Sequence, residues 1–505
     1  MKPYLFLLCL AVALCTAACS GTSTSEKSTA RNPSSAKPKL VVGIVIDQFR
    51  FDYLSRFAAH FLPASENGGG FNRLLSNGAL MTEARYSHSG TYTAPGHSVF
   101  LSGLTPGQSG VISNEWFDRT GNGGKGTEQY CVSDTMVNAV GIASQSRAGK
   151  MSPKNFNGTT LGDFLRERDP ESRSIGIAIK DRGAILPAGV KAKGAFWFDS
   201  EAGNWISSTA YFPDGNLPAW AQTFNARKLP ESYLGKTWTK LLPENVYAMK
   251  DTAAGEAPLI GEEQPVFPHT VKDLSKLTDP RFRRSKRFDA VAPTPFGNEL
   301  TLAIAEAALI GEQLGQRGHT DLLTVSFSSP DYCGHLFGPD SQEQMDILIR
   351  LDRQLDLFFK FLDTKVGFEN CLIVLSADHG VAPLPEQTKG SERLFKKDFV
   401  DALNAAVAPK YPQVIREFYN DEVYLDTAVM RAKGFNAAEV EKFIGEEARK
   451  LRGIAGYITR TDILNGNLDA TGKMVSNSFN VYRSGDVHIV VKPNTFFAFG
   501  QTGTT

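Results

Sequence analysis

The chain is predicted to be an α/β protein with a doubly wound, mostly parallel central sheet, helices on both faces and an inserted cap region. Three observations predict this. Short, nearly continuous apolar runs recur along the chain, as strands covered on both faces require. Helix-period stretches lie between them. The runs end in polar side chains of ligand type, and open α/β sheets bind their ligands beyond the carboxyl ends of the strands.

The first run, 39–46, carries Leu40, Val41, Val42, Ile44 and Val45 and ends at Asp47. The second, 175–180, ends at Lys180, with Arg182 just after. The third, 322–328, is followed by Asp331 and His335, and the fourth, 371–376, by Asp378 and His379. Helices are predicted over 298–314 and 342–362, with a late one over 437–451 behind Asn436 as N-cap. The stretch 183–293 lacks the strand–helix rhythm and carries Trp197, Trp205, Trp220 and Trp238 among many Pro and Gly residues. It is predicted to form the inserted cap, with the basic run 281–287 as a solvated surface.

The first residues bear on location. Lys2, the apolar run 4–18 and the small residues up to Cys19 form a cleaved export signal over 1–19, too short for a membrane span. Cys19 after two alanines resembles a bacterial lipoprotein acceptor, with simple cleavage and release as the alternative. Residues 20–38, rich in Ser, Thr, Lys and Pro, form a flexible tether, and 39–505 the catalytic domain. The chain is expected to be exported to the periplasm, held to a membrane only through a lipid at Cys19. Beyond the signal only Cys131, Cys333 and Cys371 remain, too few for a disulfide scaffold. Lys plus Arg and Asp plus Glu are 54 each, so charge gives no case for a nucleic-acid partner.

Asp331 with His335, and Asp378 with His379, offer carboxylate and imidazole donors of the kind zinc takes. Together with Asp47 they exceed what one open catalytic zinc needs, so two metals are expected. The segment Gly90 to His97 is dense in small residues and precedes an apolar, helix-like run. A Thr93 hydroxyl there lies where helix N–H groups favour an anion, and a divalent ion can turn it into a nucleophile; a plain N-cap is the alternative. Lys180 and Arg182, two apart at a strand end, are expected to face one side as a phosphate clamp. His97 is expected to support the nucleophile loop. His60, His88, His269 and His319 are assigned to surface or packing.

These residues resemble the alkaline phosphatase superfamily, with the nearest likeness to bacterial phosphate-irrepressible alkaline phosphatases that use a single threonine. The marks are Ile46-Asp47, Thr93-Ala94-Pro95-Gly96-His97, Asn114-Glu115-Trp116, Lys180-Asp181-Arg182, Phe196 to Asp199, Ser328 to His335 and Ala377 to Gly380. The resemblance implies one zinc on Asp47, Thr93, Asp378 and His379, and another on Asp331, His335 and a further histidine. It implies attack by Thr93 on a phosphate monoester, a phosphothreonine intermediate, and oxygen binding by Asn114, Lys180 and Arg182. It also implies that the further histidine follows a Gly/Thr-rich loop such as 500–505, so the ligand is expected beyond Thr505, with His488 as the alternative. A monomer is favoured. The rival readings are a phosphodiesterase or nucleotide pyrophosphatase of the same superfamily, a sulfatase, and a non-catalytic lipoprotein that binds phosphorylated ligands.

Overall fold

The first apolar run forms strand β1, Leu40–Ile46, with all seven residues buried. Its β-branched side chains suit a strand packed on both faces. The computed structural model describes residues 37–504 apart from positions 66, 467 and 499; the expected signal, Cys19 and most of the tether lie outside them. The other strands of the central sheet, in chain order, are β2 Ala139–Val140, β3 Ser174–Ala178, β4 Gly194–Asp199, β5 Asn204–Ser208, β6 Asp321–Phe327 and β7 Cys371–Ala377. Their spatial order is β7-β1-β6-β3-β4-β5-β2. The pairings from β7 to β4 are parallel, and β5 and β2 join antiparallel. Ile46 pairs with both Phe327 and Ala377, so β1, β6 and β7 end level at the carboxyl edge.

Alternate residues feed two cores, as the pleat requires. On one face Ile175, Ile177, Phe196 and Phe198 pack with the helices Pro295–Gly311 and Gln342–Val366. On the other, Ala178, Ala195 and Trp197 pack with helix α1, Thr93–Phe100, and helix α2, Asp181–Ala188. Helices on both faces of a mostly parallel sheet are the doubly wound α/β architecture the apolar runs predict.

The boundaries differ in informative ways. The second run stops at Ala178, because Lys180 is already the N-cap of α2. The cap expected over 183–293 is smaller: α2, β4 and β5 all belong to the central layers, and the aromatic segment Phe196–Asp199 is part of β4. An antiparallel return through β5 has no crossover helix, so the strand–helix rhythm fails although the sheet continues. After Ser208 and up to 293 the described strands are only Thr237–Trp238 and His269–Thr270. The late helix is Ala437–Arg449, with the Asn436 side chain accepting from the Glu439 N–H. It packs on a second, four-stranded sheet of Ile415–Tyr419, Glu422–Leu425, Val487–Val491 and Ile454–Thr459, which has its own core. Cys131, Cys333 and Cys371 are free thiols, and no described helix is long and apolar enough to cross a membrane.

Two contacts position the region around the strand ends. α1 crosses the Asp378 backbone at Gly96, where a Cβ would lie 2.2 Å from the Asp378 carbonyl oxygen. Gly96→Ala is therefore expected to push α1 off the sheet edge, with a drop of several degrees in melting temperature and loss of most metal binding by atomic-emission assay. His269, in contrast to its assignment to plain packing, is fully buried between Glu262 (2.8 Å) and Glu343 (3.1 Å) and ties 262–270 to the helix Gln342–Val366. Burial opposes its charge, but hydrogen bonds to Glu262 and Glu343 outweigh it and push its pKa up to about 9. With the folded value above the unfolded one, the stabilisation is complete below about pH 6.5 and is lost as pH rises through about 9. Thermal melts of the wild type are expected to fall between pH 7 and 10 by roughly 3 kcal/mol more than those of His269→Gln.

Candidate active site

Four neighbouring parallel strands, β7, β1, β6 and β3, deliver polar side chains to one edge. Asp47 follows β1, Asp378 and His379 follow β7, and Lys180 lies two residues beyond β3. Asp331 and His335, expected just after the third strand, lie on a helix, Ser329–Phe337, that starts two residues after β6. Their i, i+4 spacing puts both on one face of that helix, with His335 Nε2 3.1 Å from Asp331 Oδ1.

The edge gathers a dense buried charge. Asp47 and Asp378 are fully buried and Asp331 is 1 % exposed. Ligand atoms of Asp47, Asp331 and His379 lie within 4.8 Å of one another, as do those of Asp47, His97 and Asp378. His379 Nε2 stands 3.3 Å from Asp47 and 3.6 Å from both Asp331 and Asp378. Burial, then the Asp331 and Asp378 carboxylates, push Asp47 up to about 6. Burial opposes the charge of His379, but Asp378, Asp47 and Asp331 outweigh it and push it up to about 10. Both Asp47 oxygens and Asp378 Oδ2 are buried and meet only charged partners: His379 at 3.3 Å from Asp47 Oδ1, Lys180 at 2.8 Å from Asp47 Oδ2 and His97 at 3.1 Å from Asp378 Oδ2.

The histidine orientations fit a metal. His379 Nδ1 pairs with the Gly380 carbonyl at 2.7 Å and His335 Nδ1 with the Thr504 carbonyl at 2.7 Å. A backbone carbonyl only accepts a hydrogen bond, so each Nδ1 carries a proton and each Nε2 faces the carboxylates, where it would serve as the metal donor. Metal-ligating histidines are held this way. Buried carboxylates crowded against one another, with imidazole nitrogens aimed among them, form a donor set for a divalent cation.

Thr93 is the first residue of α1 and is 3 % exposed. Its side chain is not an N-cap; Tyr92 holds that position. Thr93 Oγ1 lies 3.3 Å from His379 Nε2 and 3.4 Å from Lys180 Nζ. The Asn114 side-chain Oδ1 accepts from the N–H of Ala94, the residue after Thr93, at 2.9 Å.

The two cations of the expected clamp do not share a side. Lys180 points into the carboxylates, 2.8 Å from Asp47 Oδ2 and in contact with Asp331. Arg182, the second residue of α2, donates to the Tyr130 hydroxyl at 3.0 Å. Same-side spacing of two holds on a strand; the chain is already helical here, so the pair splays around Thr93. His488, the alternative ligand, lies in the second sheet with Nδ1 3.9 Å from Glu422 and joins neither ligand group. The histidine expected beyond Thr505 lies outside the described residues.

Two residues escape sequence reasoning. Gln48 is fully buried with φ 62; its N–H donates to Asp378 Oδ1 at 3.0 Å and its side-chain amide to Asp331 at 3.2 Å. Nothing at the end of an apolar run signals a left-handed glutamine. Tyr130 holds Arg182 from 52 residues away in the chain. His97 does support the loop: Nδ1 lies 2.8 Å from the Thr93 carbonyl and 3.1 Å from Asp378, and Nε2 2.7 Å from Ser326 Oγ. His319, assigned no partner from the sequence, pairs with Asp169 at 2.7 Å.

Comparison with known proteins agrees with this geometry. Residues 41–505 match the family described as type I phosphodiesterase / nucleotide pyrophosphatase. Alkaline phosphatase PafA of Elizabethkingia meningoseptica is 36 % identical over 93 % of this chain and 84 % of its own length. Alkaline phosphatase PhoV of Synechococcus elongatus is 37 % identical over 96 % of this chain and 86 % of its own. The crystal structure of wild-type PafA superposes with a TM-score of 0.84 at 35 % identity, covering 93 % of this chain and 88 % of that one. The chain has the alkaline phosphatase-like fold and belongs to the type I phosphodiesterase / nucleotide pyrophosphatase family.

Proposed function

We propose that this protein is an alkaline phosphatase, a metal-dependent phosphate monoester hydrolase that works through a phosphothreonine at Thr93. One observation carries the reading: the Thr93 hydroxyl, at a helix N-terminus, is within 3.5 Å of both His379 and Lys180 at the rim of the buried carboxylates. The similarity to PafA and PhoV, both named alkaline phosphatases, supports it. So does a solved PafA variant altered at one threonine, one asparagine, one lysine and one arginine, the residue types of Thr93, Asn114, Lys180 and Arg182.

Two zinc ions fit the donor count: Asp47, Thr93, Asp378 and His379 would hold one, and Asp331 and His335 would contribute to the other. Bound there, they would supply Lewis-acid charge and lower the pKa of the Thr93 hydroxyl. The chain's own groups do the rest. α1 aims Thr93 Oγ1 outward from the sheet edge, and the Lys180 ammonium beside it favours the alkoxide. Thr93 Oγ1 bonds to phosphorus as the ester P–O bond breaks, and the alcohol leaves opposite. Water then cleaves the phosphothreonine and frees phosphate. The Asn114 NH2, the Lys180 ammonium and the Arg182 guanidinium would hold the non-bridging oxygens, so catalysis is largely positioning and electrostatics.

The substrates proposed are small phosphate monoesters, met after export to the periplasm, with a lipid anchor at Cys19 as the means of membrane attachment. Thr93→Ala is expected to lower turnover of an aryl phosphate by roughly 10³-fold or more with an unchanged circular dichroism spectrum; near-normal turnover would refute the assignment. Lys180→Ala with Arg182→Ala is expected to cost roughly 10²-fold or more on an aryl phosphate and far less on a diaryl phosphate, since each charge-assisted contact is worth about 1.5–3 kcal/mol. Equal losses on both esters would favour the phosphodiesterase reading.

A further inference from the structure

Arg182 makes a single described side-chain hydrogen bond, from Nη1 to the Tyr130 hydroxyl at 3.0 Å, while its Nε is buried with no partner. A half-buried guanidinium with donors to spare gains from an anion that completes it. What fixes its direction is a closed ring of three contacts. The Tyr130 hydroxyl donates to Asp181 Oδ1 at 2.5 Å and accepts from Arg182 Nη1. The same Asp181 oxygen accepts the Arg182 backbone N–H at 2.6 Å. The guanidinium is thus tied to the first turn of its own helix through a side chain from elsewhere.

Tyr130 comes from a hairpin, Glu115–Asp118 paired antiparallel with Thr127–Tyr130. Glu115 lies opposite Tyr130, and the Cys131 N–H donates to the Asn114 carbonyl at 2.9 Å. The base of one hairpin therefore carries both Asn114, which holds the Ala94 N–H next to Thr93, and the tyrosine that directs Arg182.

We propose that Tyr130 is a positioning residue that sets Arg182 for the charged oxygen of a phosphate monoester, and so helps to determine monoester over diester specificity. The inference rests on the reading of Arg182 as a phosphate ligand. Three variants of the full chain, Tyr130→Phe, Arg182→Ala and the double, are assayed with an aryl phosphate, a diaryl phosphate, and inorganic phosphate as inhibitor. Tyr130→Phe is expected to lower aryl phosphate kcat/KM about three- to tenfold and to weaken phosphate inhibition by a similar factor. Diester turnover stays within about twofold, and the double variant matches Arg182→Ala alone. Equal loss on both esters, or multiplying losses in the double variant, would overturn the positioning role. A full Arg182→Ala effect with a silent Tyr130→Phe would overturn that role alone; an Arg182→Ala variant with normal monoester kinetics would remove the phosphate-ligand reading beneath it. Asp181→Ala opens the same ring from its other side and serves where Tyr130→Phe does not fold: the same selective loss supports the inference, and unchanged selectivity overturns it.

Discussion

Asp47, Asp331 and Asp378 bring three buried carboxylates to one sheet edge, and holding them there sets terms for everything around them. An ionised carboxylate out of water costs several kcal/mol unless charge and hydrogen bonds compensate. The fold supplies part of that compensation. The Gln48 and His379 N–H groups both donate to Asp378 Oδ1, Lys180 contacts Asp47 and Asp331, and the imidazoles of His379 and His335 face the cluster. Three of the buried oxygens still meet only ion-pair partners, Lys180, His379 and His97. That residue of unmet acceptor capacity is what a divalent cation completes, and only a stiff platform can sustain it. The fully buried strands β1 and β6 provide the stiffness.

The nucleophile depends on the same carboxylates. α1 touches Asp378 twice, through the backbone at Gly96 and through the ring of His97. His97 in turn holds the Thr93 carbonyl and a hydroxyl on β6. The place of the Thr93 hydroxyl is therefore set by the metal-ligand side of the site. The small residues of Thr93-Ala94-Pro95-Gly96 follow from this packing: a side chain at Gly96 would separate the hydroxyl from the ligands it must join.

This division explains how much could be read from the chain alone. Parallel strands announce themselves as apolar runs, and their ends are marked by the first ligand-type residue, so Asp47, Asp378 and His379 are legible at once. The spacing of Asp331 and His335 works equally as a loop or as one helical turn, so their partnership is legible but not their helix. Lys180 and Arg182 invite a strand reading because Ile179 extends the apolar run; the start of α2 there is set by tertiary packing on β3, where Gly176 meets the Ala184 backbone. β4 and β5 were hidden in the expected cap because an antiparallel return breaks the rhythm that reveals βαβ units. Gln48 and Tyr130 carry no signal at all. A positive φ and a hydrogen bond spanning 52 residues exist only once the chain is folded.

The site is thereby built from two mechanically distinct parts. The proposed metal donors and nucleophile come from the sheet edge and α1, where displacement of any one carboxylate disturbs all the rest. Asn114 and the support for Arg182 come from the base of one hairpin outside the sheet. On the proposed mechanism, phosphoryl transfer by any substrate needs the first part, whereas Arg182, held by the second, adds to Lys180 in sensing the charge on the non-bridging oxygens. A monoester presents one more charged oxygen than a diester, and a half-buried guanidinium short of partners gains most from that oxygen. Selectivity between the two ester classes can then shift through the hairpin and the first turn of α2 while the carboxylate cluster, with its much larger electrostatic stakes, stays untouched.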